Sequence, residues 1–423
     1  MASVNEGSEN STESCFSNEV EKLFDNERKF RKDDSTVKVG VETEYFLVEE
    51  RQHLQDLEKR NEILDSLDFC KQELAADSIE IATDALALSS FKQLEQEISE
   101  KEKKLREEAL DRNLFLLRSG TNPFRELEKL ELSQKPSLKK INRYFRNDET
   151  VKLGDKNEID VGDARAASLI SALHTNIEAS SFEDAVSKAN YIYMISPYIS
   201  ALSGNARFLD GRDTGLSDLR MILWEKSHST DEIDIGRLDS YFDSMRDYLE
   251  RVEAWPEVIE YEESILEKNI AHFWKDSRIK FSENDLIVES RIASTQPSVR
   301  EDVAVHAFCI GRLLYAIDSS EQLLDIEKVN HNREQAMRHG LEGEFYSPEG
   351  VLEESENMLL KEIEKASEGL EIYGIDSENY MEILKERVEK GELPSDRLAN
   401  RFQRETKNAG NRKALFNALG IKQ

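Results

Sequence analysis

The segment VKVGVETEYFLVEE, Val37 to Glu50, constrains the fold more than any other part of the chain. Side chains two residues apart on a strand point the same way. Val37, Val39, Val41, Thr43, Tyr45 and Leu47 therefore form one face, apolar enough to rest on a core. Lys38, Gly40, Glu42, Glu44, Phe46 and Val48 form the other. A strand that needs only solubility carries Lys, Thr and Ser on its outer face. This one carries two carboxylates among small and apolar neighbours.

Three further segments repeat the pattern. In ELAADSIEIATDA, Ile79, Ile81 and Thr83 oppose Ser78, Glu80 and Ala82, with Glu73 one loop earlier. In SLISALHTNIEAS, Leu169, Ser171, Leu173, Thr175 and Ile177 oppose Ile170, Ala172, His174, Asn176 and Glu178. In NDLIVESRIAS, Leu286, Val288, Ser290 and Ile292 oppose Ile287, Glu289, Arg291 and Ala293. The wet face of an antiparallel sheet accounts for any one of these strands. It accounts poorly for the set, in which Glu42, Glu44, Glu80 and Glu289 stand with one His, one Asn and one Arg among Gly, Ala and Ile.

If one sheet brings these faces together, like charges crowd a concave surface. Two unit charges a few Å apart repel by ~4 kcal/mol at an effective dielectric of about 20. Such a cluster persists by taking up protons or by holding cations. Carboxylate oxygens suit Mg²⁺ or Mn²⁺ rather than zinc. Mg²⁺ usually takes one or two carboxylates and completes its shell with water and substrate phosphates. The surplus of Glu predicts two or more ions bridged by a polyphosphate. The chain has no GxxxxGK[ST] and no GxGxxG opening a helix after a strand, so a nucleotide is expected to be held by metal and Arg.

Composition narrows the function classes. The net charge of −30, from 87 acidic and 57 basic residues, excludes the basic footprint of a nucleic-acid binder. The most apolar stretch, Tyr191 to Leu202, contains Pro197 and is shorter than the ~20 residues of a membrane span. The start, MASVNEGSENSTES, is polar and acidic and is not a secretory signal, so a soluble cytoplasmic protein is expected. Cys15, Cys70 and Cys309 have no metal-binding or redox spacing.

Along the chain, residues 1–34 are expected as a mobile acidic and polar arm, 35–345 as an α+β catalytic domain, and 346–423 as a helical region packed on it. Apolar spacing predicts helices over Phe91–Leu117, Phe182–Leu202, Ser240–Ile270 and 299–325. The first of these, or the tail, is available for a homodimer.

The motifs GVETEYFLV, QELAADSIEIAT, SGTNPF, LHTNIEA, NARFLDGRDTGLSDLR, IVESRIAST and NREQAMRHGLEGEF resemble, in order, those of the type 2 glutamate–cysteine ligases, or carboxylate–amine ligases. GELPSDRLANRFQRE resembles the family's C-terminal signature, so the likeness spans roughly residues 38–405. It implies a glutamine-synthetase-like fold, a curved and mainly antiparallel sheet forming a funnel backed by helices. It also implies an activity in which ATP phosphorylates the γ-carboxylate of glutamate and the amino group of cysteine attacks the acyl phosphate.

By matching motifs, Glu42, Glu44, Glu73, Glu80 and Glu289 would be Mg²⁺ ligands, with His174 and Asn176 beside metal and phosphate. Arg291 would neutralise the transferring phosphate, and Arg220 would hold a substrate carboxylate. Asn332, Arg333 and Arg338 would reach nucleotide phosphate. Two departures stand out: Asn122 in GTNPF replaces a family His, and Arg207 in NARFL puts a cation where the family has an apolar residue. They leave room for a different acid or amine. A non-catalytic nucleotide-binding relative is the other alternative.

Overall fold

The computed structural model describes residues 6–32, 36–49, 57–73, 75, 77–125, 150–153, 157–160, 164–228, 235–255, 265–377, 379–407 and 409–421. Its centre is an eight-stranded sheet. The strands are β1 (Lys38–Glu49), β2 (Cys70–Gln72), β3 (Ser78–Ala82), β4 (Leu86–Ala87), β5 (Leu114–Leu117), β6 (Ala172–Ala179), β7 (Ser277–Phe281) and β8 (Leu286–Ser294). The main path runs β7-β8-β6-β1-β3-β2, every pairing antiparallel, with β4 and β5 also joined to β1.

The long β1 is the spine. Its first half pairs with β6 on one edge, and β5 takes over that edge at Phe46. The expected apolar face holds: Val39, Val41, Thr43, Tyr45 and Leu47 are all buried. Ile79, Ile81, Leu173, Ile177, Leu286, Val288 and Ile292 extend that face across the sheet. Helices Phe182–Ser203 and Val299–Asp318 cover it, each started by a serine N-cap, Ser181 and Ser298.

Helix Ser355–Ile372 packs along Val299–Asp318 so closely that a Cβ on Gly311 or Gly369 would strike the other helix's backbone. The C-terminal helices thereby join the main core, with Met358, Leu359, Ile363 and Leu384 in the same cluster as Val41 and Ile177. Two shorter helices, Pro394–Glu405 and Asn411–Ala418, close a second cluster with Phe46, Leu117 and Phe208.

Three expectations on local structure are corrected. The arm contains a helix, Glu6–Asp25, and Phe16 and Val20 belong to the core. Their four-residue spacing puts them on one helix face, a short signal hidden by the polar residues around it. The helix from Phe91 stops at Asp111, because Asn113 takes a left-handed φ of 59°, and Leu114 and Leu117 are strand residues. Its apolar stripe (Phe91, Leu94, Ile98, Leu105) is buried within the chain and not left for a dimer. The helix from Val299 ends at Asp318, with Ser320 at φ 48° just beyond it. Within Ser240–Ile270 the described helices are Met245–Glu253 and one starting at Ile265; 256–264 lie outside the described residues. Among the described residues no helix is long and apolar enough to cross a membrane.

Candidate active site

Register alone aligns the polar groups. Glu44 lies opposite Glu80, Glu42 opposite His174, and Asn176 opposite both Gly40 and Glu289. Since directly paired residues share a face, the four segments read from the sequence do build one polar surface. The same register adds basic residues that the sequence reading missed. Lys71 lies opposite Glu80, and Arg278 opposite Glu289. Arg278 and Lys280 alternate on the short edge strand SRIKF, and that period-two spacing beside the Glu289 strand is the signal that could have found them.

Glu44 is the best-anchored carboxylate. Its Oε2 accepts from the Ala172 backbone N–H at 2.7 Å. Its own carbonyl accepts from Ser171 Oγ at 2.6 Å and Thr295 Oγ1 at 2.9 Å. His174 joins the two β1 carboxylates, with Nδ1 2.9 Å from Glu42 Oε2 and Nε2 3.8 Å from Glu44 Oε1. Glu80, 5% exposed, has Lys71 Nζ at 3.4 Å. Glu73, directly after β2, offers a carboxylate oxygen within 4.8 Å of those of Glu44 and Glu80.

Electrostatics divides the carboxylates into two kinds. Burial, then the charge of Glu80, pushes Glu44 up to about 8. Burial, then Glu44 and Glu42, pushes Glu73 up to about 8. Burial, then Glu42 and Glu73, raises Glu80 to about 7. Burial also works against the charge of Glu42, but the hydrogen bond and charge of His174 hold it at about 2. At Glu289 burial is outweighed by Arg278, Arg291 and Lys280, which hold the carboxyl well below its usual range. Arg278 Nε at 2.9 Å and Arg291 Nη1 at 2.6 Å donate to its Oε2, and Lys280 Nζ at 2.8 Å to its Oε1.

Two groups of donor atoms could hold a cation. Glu42, Glu80 and His174 offer one set, and Glu44, Glu73 and Glu80 the other, the atoms of each set lying within 4.8 Å of one another. Glu80 belongs to both. Glu289 belongs to neither and is matched by protein cations instead. Asn176 Oδ1 and Arg291 Nε are buried with no hydrogen-bond partner among the described residues. Such atoms are costly unless a ligand completes them.

Other expected site residues have different surroundings. Arg220, 3% exposed, spends Nη1 on the Ile292 carbonyl at 2.9 Å and Nη2 on the Arg291 carbonyl at 2.8 Å. It clamps the β8 bulge, where the register against β6 shifts between Ser290 and Ala293. The sequence reading gave it a substrate carboxylate to hold; its paired donors are already committed to the backbone.

Asn332 exchanges two hydrogen bonds with the backbone of Tyr346. Arg333 is fully buried between Glu225 and Asp276. Arg338 pairs with Glu334 one turn back. The polar atoms of Asn332 and Arg333 thus hold the fold.

The two departures are also accounted for. Asn122 donates to Asp77 at 3.1 Å and accepts from the Phe124 N–H, a buried turn clasp. Arg207 is neutralised by Asp213 and Asp396, each at 2.7 Å.

The curled antiparallel sheet is the fold of the glutamine-synthetase-like ligases. The chain belongs to glutamate–cysteine ligase family 2, whose sequence profile matches residues 38–418. It is 24% identical over 317 residues to "Putative glutamate--cysteine ligase 2-1" of Rhodococcus jostii (strain RHA1), covering 73% of this chain and 77% of that protein. It is 27% identical over 284 residues to "Putative glutamate--cysteine ligase 2" of Gloeobacter violaceus, covering 66% and 68%. Among solved structures, the glutamate–cysteine ligase of Francisella tularensis, in complex with AMP, superposes with a TM-score of 0.62 at 12% identity over 91% of this chain and 88% of that one. A bifunctional glutathione synthetase from Pasteurella multocida gives 0.55 at 15% identity, over 94% of this chain and 54% of that one.

Proposed function

We propose that the protein is an ATP-dependent carboxylate–amine ligase, with glutamate and cysteine as its substrates and γ-glutamylcysteine as product. One observation carries the reading. Glu44, Glu73 and Glu80 are gathered in one group, Glu80 buried and the others partly so, with raised pKa values. Crowded carboxyls persist by taking up protons or by holding a cation, and hard oxygen donors in this arrangement fit Mg²⁺ or Mn²⁺. The relatives' names and the AMP complex of the Francisella enzyme support the nucleotide and substrate class.

In this reading Glu44, Glu73 and Glu80 hold one ion, and Glu42, His174 and Glu80 a second. When bound, the ions neutralise the polyphosphate and draw charge from the transferring phosphoryl group. Arg291 faces the same surface with a free Nε and stabilises charge on the phosphoryl oxygens. Asn176, whose Oδ1 is unpartnered, accepts from substrate. His174 is fixed by Glu42, so its other nitrogen stays directed at Glu44. Arg220 acts as a positioning residue, holding the bulge that presents Arg291.

Phosphorylation gives the γ-carboxylate a leaving group, and attack by the amine then releases phosphate. Fixed positioning supplies much of the acceleration in such transfers.

The test is ADP release with ATP, Mg²⁺ and glutamate, screened against all twenty amino acids and common amines. Release that depends on cysteine is the expected result. Release with another amine keeps the ligase class and changes the substrate. No release with any of these amines overturns the reading.

A further inference from the structure

The C-terminal segment GELPSDRLANRFQRE takes no part in the carboxylate site. Pro394, Arg397, Leu398 and Arg401 from it line a separate cavity of about 450 Å³. Arg106, Arg118 and Glu301 complete its charged lining. The volume is that of a small-molecule site. It lies at the β5 edge of the sheet, where Leu116 and Leu117 line it and Arg118 reaches the hydroxyl of Tyr45 at 3.2 Å.

The charges around the cavity do not balance. Arg397 and the buried Arg387 both donate to one oxygen of Glu301. Arg106 and Arg118 share Glu102, and Arg118 also takes Asp302. Arg401 has no acidic partner among the described residues. Among the lining residues four guanidiniums meet one carboxylate, Glu301, in a chain whose net charge is −30. Two helices also begin here. Pro297 precedes Val299–Asp318 and Pro394 opens Pro394–Glu405, and both prolines line the cavity. Helix N-termini add positive potential. The pairs at Glu102, Asp302 and Glu301 serve the fold, but Arg401 and the open space beside it are left over.

We propose that this cavity binds a small polyanion, bearing at least two negative charges on phosphate or carboxylate groups, at a site distinct from the carboxylate centre. Arg401 and Arg397 contact it directly, and Arg118 and Arg106 form the floor. Guanidinium geometry suits either anion.

The test uses full-length protein freed of metal on chelating resin, titrated calorimetrically at low salt with sodium tripolyphosphate and, separately, with citrate. The wild type is expected to bind one equivalent of at least one probe. Tripolyphosphate alone marks a phosphate ligand, and citrate a carboxylate ligand. Arg401→Gln should weaken binding about tenfold, the scale of one charge-assisted contact. Arg397→Gln with Arg401→Gln should abolish it. Glu44→Gln should leave it unchanged, which separates this site from the ligase centre. Since Arg401 is exposed, its variant keeps the fold. Undiminished affinity in Arg401→Gln, or no binding of either probe by the wild type, overturns the proposal.

Discussion

Glu44 and Tyr45 are neighbours on one strand, yet they face two different kinds of buried polar environment. Behind the sheet, the Tyr45 hydroxyl meets Glu102 at 3.1 Å, and Arg118 binds Glu102 at 2.8 Å, Asp302 at 2.7 Å and the Gln296 carbonyl at 2.9 Å. Each carboxylate there has its guanidinium. Burial still raises Asp302 to about 7, even beside Arg118. In front, Glu44, Glu73 and Glu80 meet one another, and burial with mutual repulsion raises all three without a guanidinium bound to any of them. The difference separates charge that supports a fold from charge that awaits a ligand. A buried ion pair completes itself, whereas a buried carboxylate cluster is completed from outside.

The comparison can be broken most directly at Glu80, which both cation-binding groups share. Glu80→Gln should lower kcat by ~10²–10³-fold or more, the scale of losing one group that stabilises transition-state charge. Its urea midpoint should stay near that of the wild type. ADP release at the wild-type rate would place the cation elsewhere.

Behind the sheet the expected effects reverse. Arg118→Met leaves Glu102 and Asp302 buried without their partner, and should cost ~3–5 kcal/mol of stability. Urea denaturation reads this. A loss below about 1 kcal/mol would mean that the rear network contributes as little as a surface pair.

A pH series sharpens the contrast. In metal-free protein the folded values of about 8 for Glu44 and Glu73 and about 7 for Glu80 exceed the unfolded carboxyl value of ~4.3. The folded state therefore binds more protons than the unfolded state between those limits. The stability these groups contribute is full below pH ~4.3 and is lost as pH rises through 7 to 8. Tm should fall by about 3 °C or more from pH 5.5 to 8.5. Mg²⁺ added at the upper pH should restore it. A Tm indifferent to Mg²⁺ would remove the cation from the site.

The smallest effect is expected at Arg207, which ties Asp213 to Asp396. Arg207→Ala should cost about 1 kcal/mol or less and leave the KM for glutamate within about twofold. A larger change in KM would return this residue to the substrate pocket.

How much of this was legible in the sequence depended on distance along the chain. Alternation within Val37–Glu50, and in three later segments, gave the two faces of the sheet, because strand geometry is local. The carboxylate row followed once like faces were assumed to meet. The burial of Arg333 was not legible because its partners, Glu225 and Asp276, lie 108 and 57 residues away, and no local pattern marks their meeting. The backbone contacts of Arg220 were not legible for a related reason: the carbonyls it clamps belong to a bulge, which no periodicity announces. Lys280 and Arg278 were missed because a five-residue edge strand carries little pattern of its own.

That bulge sets the phase of everything downstream of Glu289. Against β6, Ser290 pairs with Thr175 but Ala293 pairs with Leu173, so one extra residue is absorbed between them. Ser294, Thr295 and Gln296 consequently arrive where they can engage Asp218, the Glu44 carbonyl and the Ser203 carbonyl. Deleting a single residue there would rotate that trio half a turn out of step, detaching the support of Glu44 while every acidic side chain remained in the sequence. The spacing from Glu289 to Thr295 thus works as a ruler, and its length is as much a part of the centre as the groups it spaces.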